Sequence, residues 1–183
     1  MKNQFKAIIA TLALATATSW AASTVMVGGN EMYPSKDIID NAVHSGDHTT
    51  LVAAVKAAGL VDTLKGAGPF TVFAPTDAAF GRLPAGTVDN LVKPENKETL
   101  TKILTYHVVA GKYDFNALAK LIKKGNGKAE LKTVAGGRLT AMMNGPHNIQ
   151  LQDEKGNVAN ISTYDVYQSN GVIHVIDRVL MPN

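Results

Sequence analysis

Hydrophobic positions along this chain follow two regimes. Up to about Lys124, most apolar residues recur every three or four positions, the period of a helix with one buried face. Beyond Gly125 the chain reads as short strands separated by turn residues. Within the first regime, Ser35 stands before KDIIDNAV as a candidate N-cap, with Asp37 in the positive first turn and Ile38, Ile39 and Val43 as the buried face. Thr49 opens a second helix, with Leu51, Val52 and Val55 at helical spacing and Gly59 as its stop. A short helical turn follows over Leu60–Lys65. Phe70–Ala74 interrupts the helical pattern; it is β-branched and aromatic, as suits a buried strand, and Pro75 ends it. Thr76 then caps a helix that carries Asp77 in its first turn. Two further helical segments are predicted over Thr87–Val92 and Glu95–Thr105, the second with Leu100, Ile103 and Leu104 as its apolar stripe and Pro94 at its start.

Val108-Val109 returns to strand character, and Asp114 caps a helix over Phe115–Lys124 that Gly125 stops. Predicted strands then run over Lys128–Val134, Arg138–Met143, Asn148–Gln152, Val158–Ser162 and Val172–Val175. Glu154-Lys155-Gly156-Asn157 is predicted as a hairpin tip. Helices first and a strand meander afterwards make this an α+β chain, not a βαβ winding.

Composition adds a destination. Lys2 and Lys6 precede the apolar stretch Ala7–Ala17, which is too short to span a bilayer, and Ser19-Trp20-Ala21 offers small residues for a signal peptidase. Residues 1–21 are therefore expected to be an export signal cut after Ala21, and 22–34, rich in glycine and small residues, a tether with little structure. Residues 35–183 suit one domain. The chain has no cysteine, which excludes both disulfides and a lipidated-cysteine anchor. Loss of Lys2 and Lys6 with the signal takes the net charge from +3 to +1. A nucleic-acid role is disfavoured, and no second stretch is long enough for a transmembrane anchor.

Three segments in fixed order give the chain a likeness: Thr71–Phe80 (TVFAPTDAAF), Tyr106-His107 within KILTYHVV, and Asn170–Pro182 (NGVIHVIDRVLMP). Together they resemble the two hallmark boxes and the Tyr-His motif of the fasciclin-like adhesion domain, in a likeness running from Tyr33 to the C-terminus. The resemblance implies a β-wedge or sandwich of about seven strands flanked by several helices. It further implies a non-enzymatic module, of the bacterial secreted single-domain type, that recognises a cell-surface or matrix protein or polysaccharide, or another copy of itself. In animal members, adhesion is linked to the Tyr-His pair and to an Asp-Ile pair before the last box. The matching positions here are Tyr106-His107 and Asp165-Val166, the latter flanked by Tyr164 and Tyr167. These six residues are the expected binding set. Asn160-Ile161-Ser162 is a glycosylation acceptor only in a host that glycosylates asparagine, and a bacterial secreted protein implies no glycan.

Enzyme chemistry finds little support. Tyr167-Gln168-Ser169-Asn170-Gly171 lacks the first glycine of a nucleophile elbow and leads into a strand. Gly111-Lys112 and Gly127-Lys128 lack the rest of a phosphate loop. His44 and His48 are four apart, but Ser45-Gly46-Asp47 between them reads as a helix break, so no metal is expected; nor is any cofactor. His107 and His174 lie beside apolar strands. They are read as structural donors, with a hydrolase or metalloenzyme as the remote alternative. His107 is expected to hydrogen-bond near the Thr76-Asp77 turn. Lys120, Lys123, Lys124, Lys128 and Lys132 form the one charge asymmetry. They are read as a solvated face, or else as a surface for an acidic polysaccharide.

Overall fold

The computed structural model describes residues 24–183, so the expected signal and its cleavage point lie outside the described residues. The segment expected to be an unstructured tether is instead a hairpin from residue 25 onward. Val25–Val27 (β1) pairs antiparallel with Asn30–Met32 (β2), and it is ordered because Val27 and Met32 are buried in the core. Its turn is held down where the Gly28 carbonyl accepts the Gly46 amide at 3.0 Å. A Cβ at Gly28 would sit 2.6 Å from the backbone nitrogens of Gly46 and Asp47, so only glycine allows this approach.

Helices Ile38–Ala42 (α1), Thr49–Ala58 (α2) and Val61–Lys65 (α3) follow. The cap of α1 is Asp37, which accepts from the Asp40 amide at 2.8 Å, and not Ser35. Val43 falls after the last helical turn and is 45% exposed, so it does not join Ile38 and Ile39 in the core. Helix α2 starts at Thr49 and ends at Gly59 in the left-handed conformation, as its sequence predicts. Then come Phe70–Pro75 (β3), Asp77–Gly81 (α4), Thr87–Leu91 (α5), a 3-10 turn at Pro94–Asn96, and Lys97–Tyr106 (α6). Thr76 caps α4 by accepting from the Ala79 amide.

The remaining elements are Val108–Ala110 (β4), Phe115–Lys124 (α7), Lys128–Lys132 (β5), Arg138–Met143 (β6), Ile149–Gln152 (β7), Val158–Gln168 (β8) and Gly171–Ile176 (β9). Seven strands form one sheet in the order β4-β3-β9-β8-β7-β6-β5. Its two edges nearly meet. Val109 bridges to Thr133, and the Val134 amide donates to the Val108 carbonyl at 2.8 Å. The sheet is therefore close to a barrel, and the fold is α+β as expected.

The first and last sequence boxes lie side by side. β3 and β9 are the parallel pair, registered Phe70 to Gly171 through Pro75 to Ile176. All of β9 is buried, as parallel strands covered on both faces must be. Alternation splits their side chains between two cores. Val72, Ala74, Ile173 and Val175 face the first helices and the hairpin; Phe73 and Ile176 face the inside of the sheet with Tyr106, Leu118, Leu139 and Leu180.

Candidate binding surface

Tyr106 and His107 are buried, at 0% and 3% exposure, so neither offers a side-chain surface to a partner. The Tyr106 hydroxyl donates to the Arg138 carbonyl at 2.6 Å and accepts from the Glu154 amide at 3.1 Å. Burial pushes its pKa up to about 12. His107 Nε2 accepts from the Leu180 amide at 3.0 Å. An amide can only donate, so Nδ1 carries the ring proton and donates to the Ile103 carbonyl at 2.8 Å. The expected bond to the Thr76-Asp77 turn is absent; the ring ties the helix to the last box, and it is the His107 carbonyl that reaches the first box, accepting from the Phe73 amide at 2.9 Å. Burial drives the His107 pKa down to about 4, so the ring is neutral at ordinary pH.

Val166 is also buried, at 1%. Tyr164, Asp165 and Tyr167 are half-buried, and the structure brings them together at a β-bulge. Asp is a poor strand residue and tolerates a left-handed backbone; Asp165 has φ 56°, and the pairing of β8 with β9 slips there. The slip aims its carboxylate at α7, where Oδ1 accepts from the Phe115 amide at 2.7 Å. Asp114, the α7 cap, accepts from the Ala117 amide at 2.8 Å. Two carboxylates thus serve the positive end of one helix.

His174 sits beneath this bulge, wholly buried. Its Nδ1 faces the Asp165 amide at 3.4 Å, which leaves Nε2 to donate to the Tyr113 carbonyl at 2.8 Å. Burial lowers its pKa against the opposing pull of that carbonyl and of Asp165 and Asp114. The ring stacks on Phe73 with centroids 5.7 Å apart, and Tyr164 meets it edge-on at 5.9 Å. His107 and the Asp165 bulge are thereby joined through Phe73 and His174. The Tyr-His pair is interior and connects to the surface segment only indirectly, through Phe73 and His174.

At the rim, Lys112 Nζ lies 4.6 Å from the centre of the Tyr167 ring, and the Tyr167 hydroxyl donates to Asp114 Oδ2 at 3.3 Å. Lys112 and the outer oxygen of Asp114 are members that sequence reasoning missed. An Asp between two tyrosines in an otherwise strand-like run is a signal of the bulge that gathers them. The five lysines are all exposed, on α7 and on the outward face of β5, and α7 packs against β5. Among the described residues none of the five forms an ion pair, whereas Glu130 between Lys128 and Lys132 pairs with Arg138 at 3.2 Å. His44 is exposed and its Nδ1 contacts the Asp40 carbonyl; His48 is buried and its Nδ1 contacts Ser45 Oγ, so the pair does not converge. Among the described residues no three His, Asp or Glu side chains gather as a metal site would require.

Comparison with known proteins agrees with this geometry. Protein sll1483 of Synechocystis is 48% identical over 145 residues, covering 79% of this chain and 73% of its own. The cell surface glycolipoprotein MPB83 of Mycobacterium bovis is 40% identical over 123 residues, covering 67% of this chain and 48% of its own. The solved structure of a FAS1 domain pair from the insect cell adhesion molecule Fasciclin I superposes with a TM-score of 0.69 at 19% identity, over 80% of this chain and 51% of that one. That likeness shows the fold. Residues 46–182 match the Fasciclin domain, and with that match the chain belongs to the Fasciclin family, whose domains are adhesion-related and generally non-enzymatic.

Proposed function

We propose that this protein is an exported, non-enzymatic adhesion module that recognises a cell-surface or matrix macromolecule by surface complementarity. The observation that carries this reading is the rim formed by Lys112, Asp114, Asp165 and Tyr167. It sets a half-exposed aromatic ring between charges of both signs, on a bulge braced by α7 from one side and His174 from beneath. Such a preformed amphipathic patch suits a protein partner. Tyr106, His107 and Val166 support the patch from the interior. The name of MPB83 places that relative at the cell surface, and the export signal expected at the N-terminus would carry this chain out of the cytoplasm, to the periplasm, the cell surface or the medium.

The test is retention of the protein on its own cells and extracted matrix, compared with a Lys112→Ala/Tyr167→Ala variant of equal melting temperature. Loss of retention supports the rim as the binding face; unchanged retention removes it.

A second reading has its own observation. Lys120, Lys123, Lys124, Lys128 and Lys132 are exposed on two adjacent elements and, among the described residues, form no ion pair. An acidic polysaccharide would find them available. Retention through this face should fall steeply between about 0.05 and 0.5 M salt, because exposed charges are screened over roughly 10 Å at 0.1 M. Lys120→Glu/Lys124→Glu should abolish it. Retention through the Tyr167 rim should respond weakly to both changes.

A further inference from the structure

Asparagine is followed by glycine at Asn126-Gly127, Asn144-Gly145 and Asn170-Gly171. Glycine has no side chain to shield its backbone, so its amide nitrogen can close on the asparagine side chain before it. The three pairs share this local chemistry, and the fold treats each differently. Asn170 is 9% exposed and its side chain is fully engaged. Its Nδ2 donates to the Leu64 and Gly66 carbonyls at 2.8 and 3.0 Å, and its Oδ1 accepts from the Ile38 amide at 3.1 Å. Asn126 is exposed, but it follows the last turn of α7, and the Gly127 amide donates to the Ile122 carbonyl at 2.9 Å.

Asn144 lies in the turn between β6 and β7, where residues 144–148 are all exposed. Among the described residues the Gly145 amide makes no hydrogen bond, and a Cβ built on Gly145 would meet nothing within 4 Å. The Asn144 side chain has one long bond, from Nδ2 to Asn160 Oδ1 at 3.3 Å. The space around Gly127 is equally open, so the bond on its amide is what separates the two exposed pairs.

We propose that Asn144 is a site of spontaneous deamidation, selected from the three by the free amide of Gly145. The Gly145 nitrogen gives up its proton and attacks Asn144 Cγ. The N–Cγ bond forms, the Cγ–Nδ2 bond breaks, and Nδ2 leaves as ammonia with the equivalent of that proton. A five-membered succinimide remains. Water then adds to either ring carbonyl and opens the ring to aspartate or isoaspartate. Isoaspartate routes the backbone through the side chain and lengthens it by one methylene. Nothing is oxidised or reduced, and water is the only co-reactant.

The change reaches two parts of the fold. A carboxylate has no proton to donate, so the bond to Asn160 is lost. Asn160 itself donates to Asp177 Oδ2 at 3.2 Å, so the new negative charge faces a run of acceptors that ends in the last sequence box. The same turn leads into Ile149, whose amide donates to the Tyr164 hydroxyl at 2.7 Å, and Tyr164 packs edge-on against His174 beneath the Asp165 bulge. The extra methylene of isoaspartate therefore enters the turn that positions Tyr164. Deamidation itself does not depend on the adhesion reading.

The experiment holds the purified native protein at physiological temperature in mildly alkaline buffer and samples it over weeks. Digestion at mildly acidic pH limits further reaction. Mass spectrometry then follows the three Asn-Gly peptides for the mass gain of amide-to-acid conversion, and electron-transfer fragmentation identifies isoaspartate. Asn144 should convert about fivefold faster than Asn126 or more, the equivalent of one net amide hydrogen bond on Gly127, with Asn170 unchanged. In concentrated urea that bond is gone, and the rates at Asn144 and Asn126 should converge. Asn144→Gln, whose side chain would have to close a six-membered ring, should abolish the isoaspartate formed at this turn. No conversion at Asn144, equal native rates at Asn144 and Asn126, a lead for Asn144 undiminished in urea, or isoaspartate persisting in Asn144→Gln would overturn the proposal.

Discussion

Asp165 owes its position to backbone geometry as much as to charge. Its left-handed φ is tolerable for Asp, Asn and Gly, and its carboxylate holds the first amide of α7. Asp165→Ala should therefore lose about 1–3 kcal/mol of stability in chemical unfolding, and Asp165→Asn clearly less, because Asn keeps an acceptor and the same backbone preference. A binding assay on Asp165→Ala alone would confuse loss of fold with loss of face, which is why Lys112 and Tyr167 are the better probes. His107 gives a pH signature. Folded, it takes up its proton only near pH 4; unfolded, near its ordinary 6.5. Between these values the unfolded state binds more protons, so stability is full above 6.5 and is lost as pH falls toward 4. Burial of His174 and His48 acts in the same direction. The His107 contribution is on the order of 3 kcal/mol across that window. Urea unfolding at pH 7.5 and 4.5 should show a smaller loss for His107→Gln than for the wild type, although the variant starts less stable. The motif was legible in sequence; its bonding partner was not, because Leu180 lies 73 residues away and only the parallel packing of the two boxes brings it near.

Helix α2 has no side-chain cap of its own, since His48 at its N-cap turns to Ser45 instead. The cap comes from another element. Asp77, at the start of α4, accepts from Thr49 Oγ1 at 2.6 Å and from the Thr49 and Thr50 amides at 3.2 and 2.8 Å. Burial would raise the Asp77 pKa, but these bonds outweigh it and hold it below the usual carboxylate value. Its stabilising effect is present above about pH 4 and is lost as pH falls through the lowered pKa. Asp77→Ala should cost about 1–2 kcal/mol and speed amide exchange in the first turn of α2, with α7 unaffected. The sequence placed Asp77 correctly in the first turn of its own helix. It could not show service to a second helix, since that depends on how α4 packs against α2. Strand β8 shows a similar limit. Val158–Ser162 was legible from β-branched residues, but the strand runs on to Gln168 because the bulge at Asp165 lets the backbone rejoin β9.

At the scale of the molecule, the three sequence motifs are one structural unit. The boxes are the central parallel strands, and His107 bonds to both through its carbonyl and its ring. Asn170 extends the unit to the helical layer: its side chain donates to the Leu64 and Gly66 carbonyls and accepts from the Ile38 amide. The parallel pair is also tightly spaced, for a Cβ on Gly171 would fall 2.2 Å from the Phe70 carbonyl oxygen. Gly171→Ala must push β9 from β3, and a loss of about 2–4 kcal/mol, with a lower melting temperature, is expected. The motifs that mark the family therefore hold the fold together, and the two surfaces proposed for recognition, the Tyr167 rim and the lysine face, lie outside them.

Local chemistry determined most of the elements. Periodicity, caps such as Thr76 and Asp114, and stops such as Gly59 act within a few residues, so they are written in the order of the chain. The order of those elements, helices first and strands afterwards, carried the α+β class, and the resemblance of the boxes carried the seven-strand architecture. Burial was decided by tertiary packing. Which half of the binding set is surface, where His107 bonds, and that residues 25–32 form a hairpin all depend on contacts between distant segments. Those contacts exist only once β3 and β9 lie together and the N-terminal helices cover them.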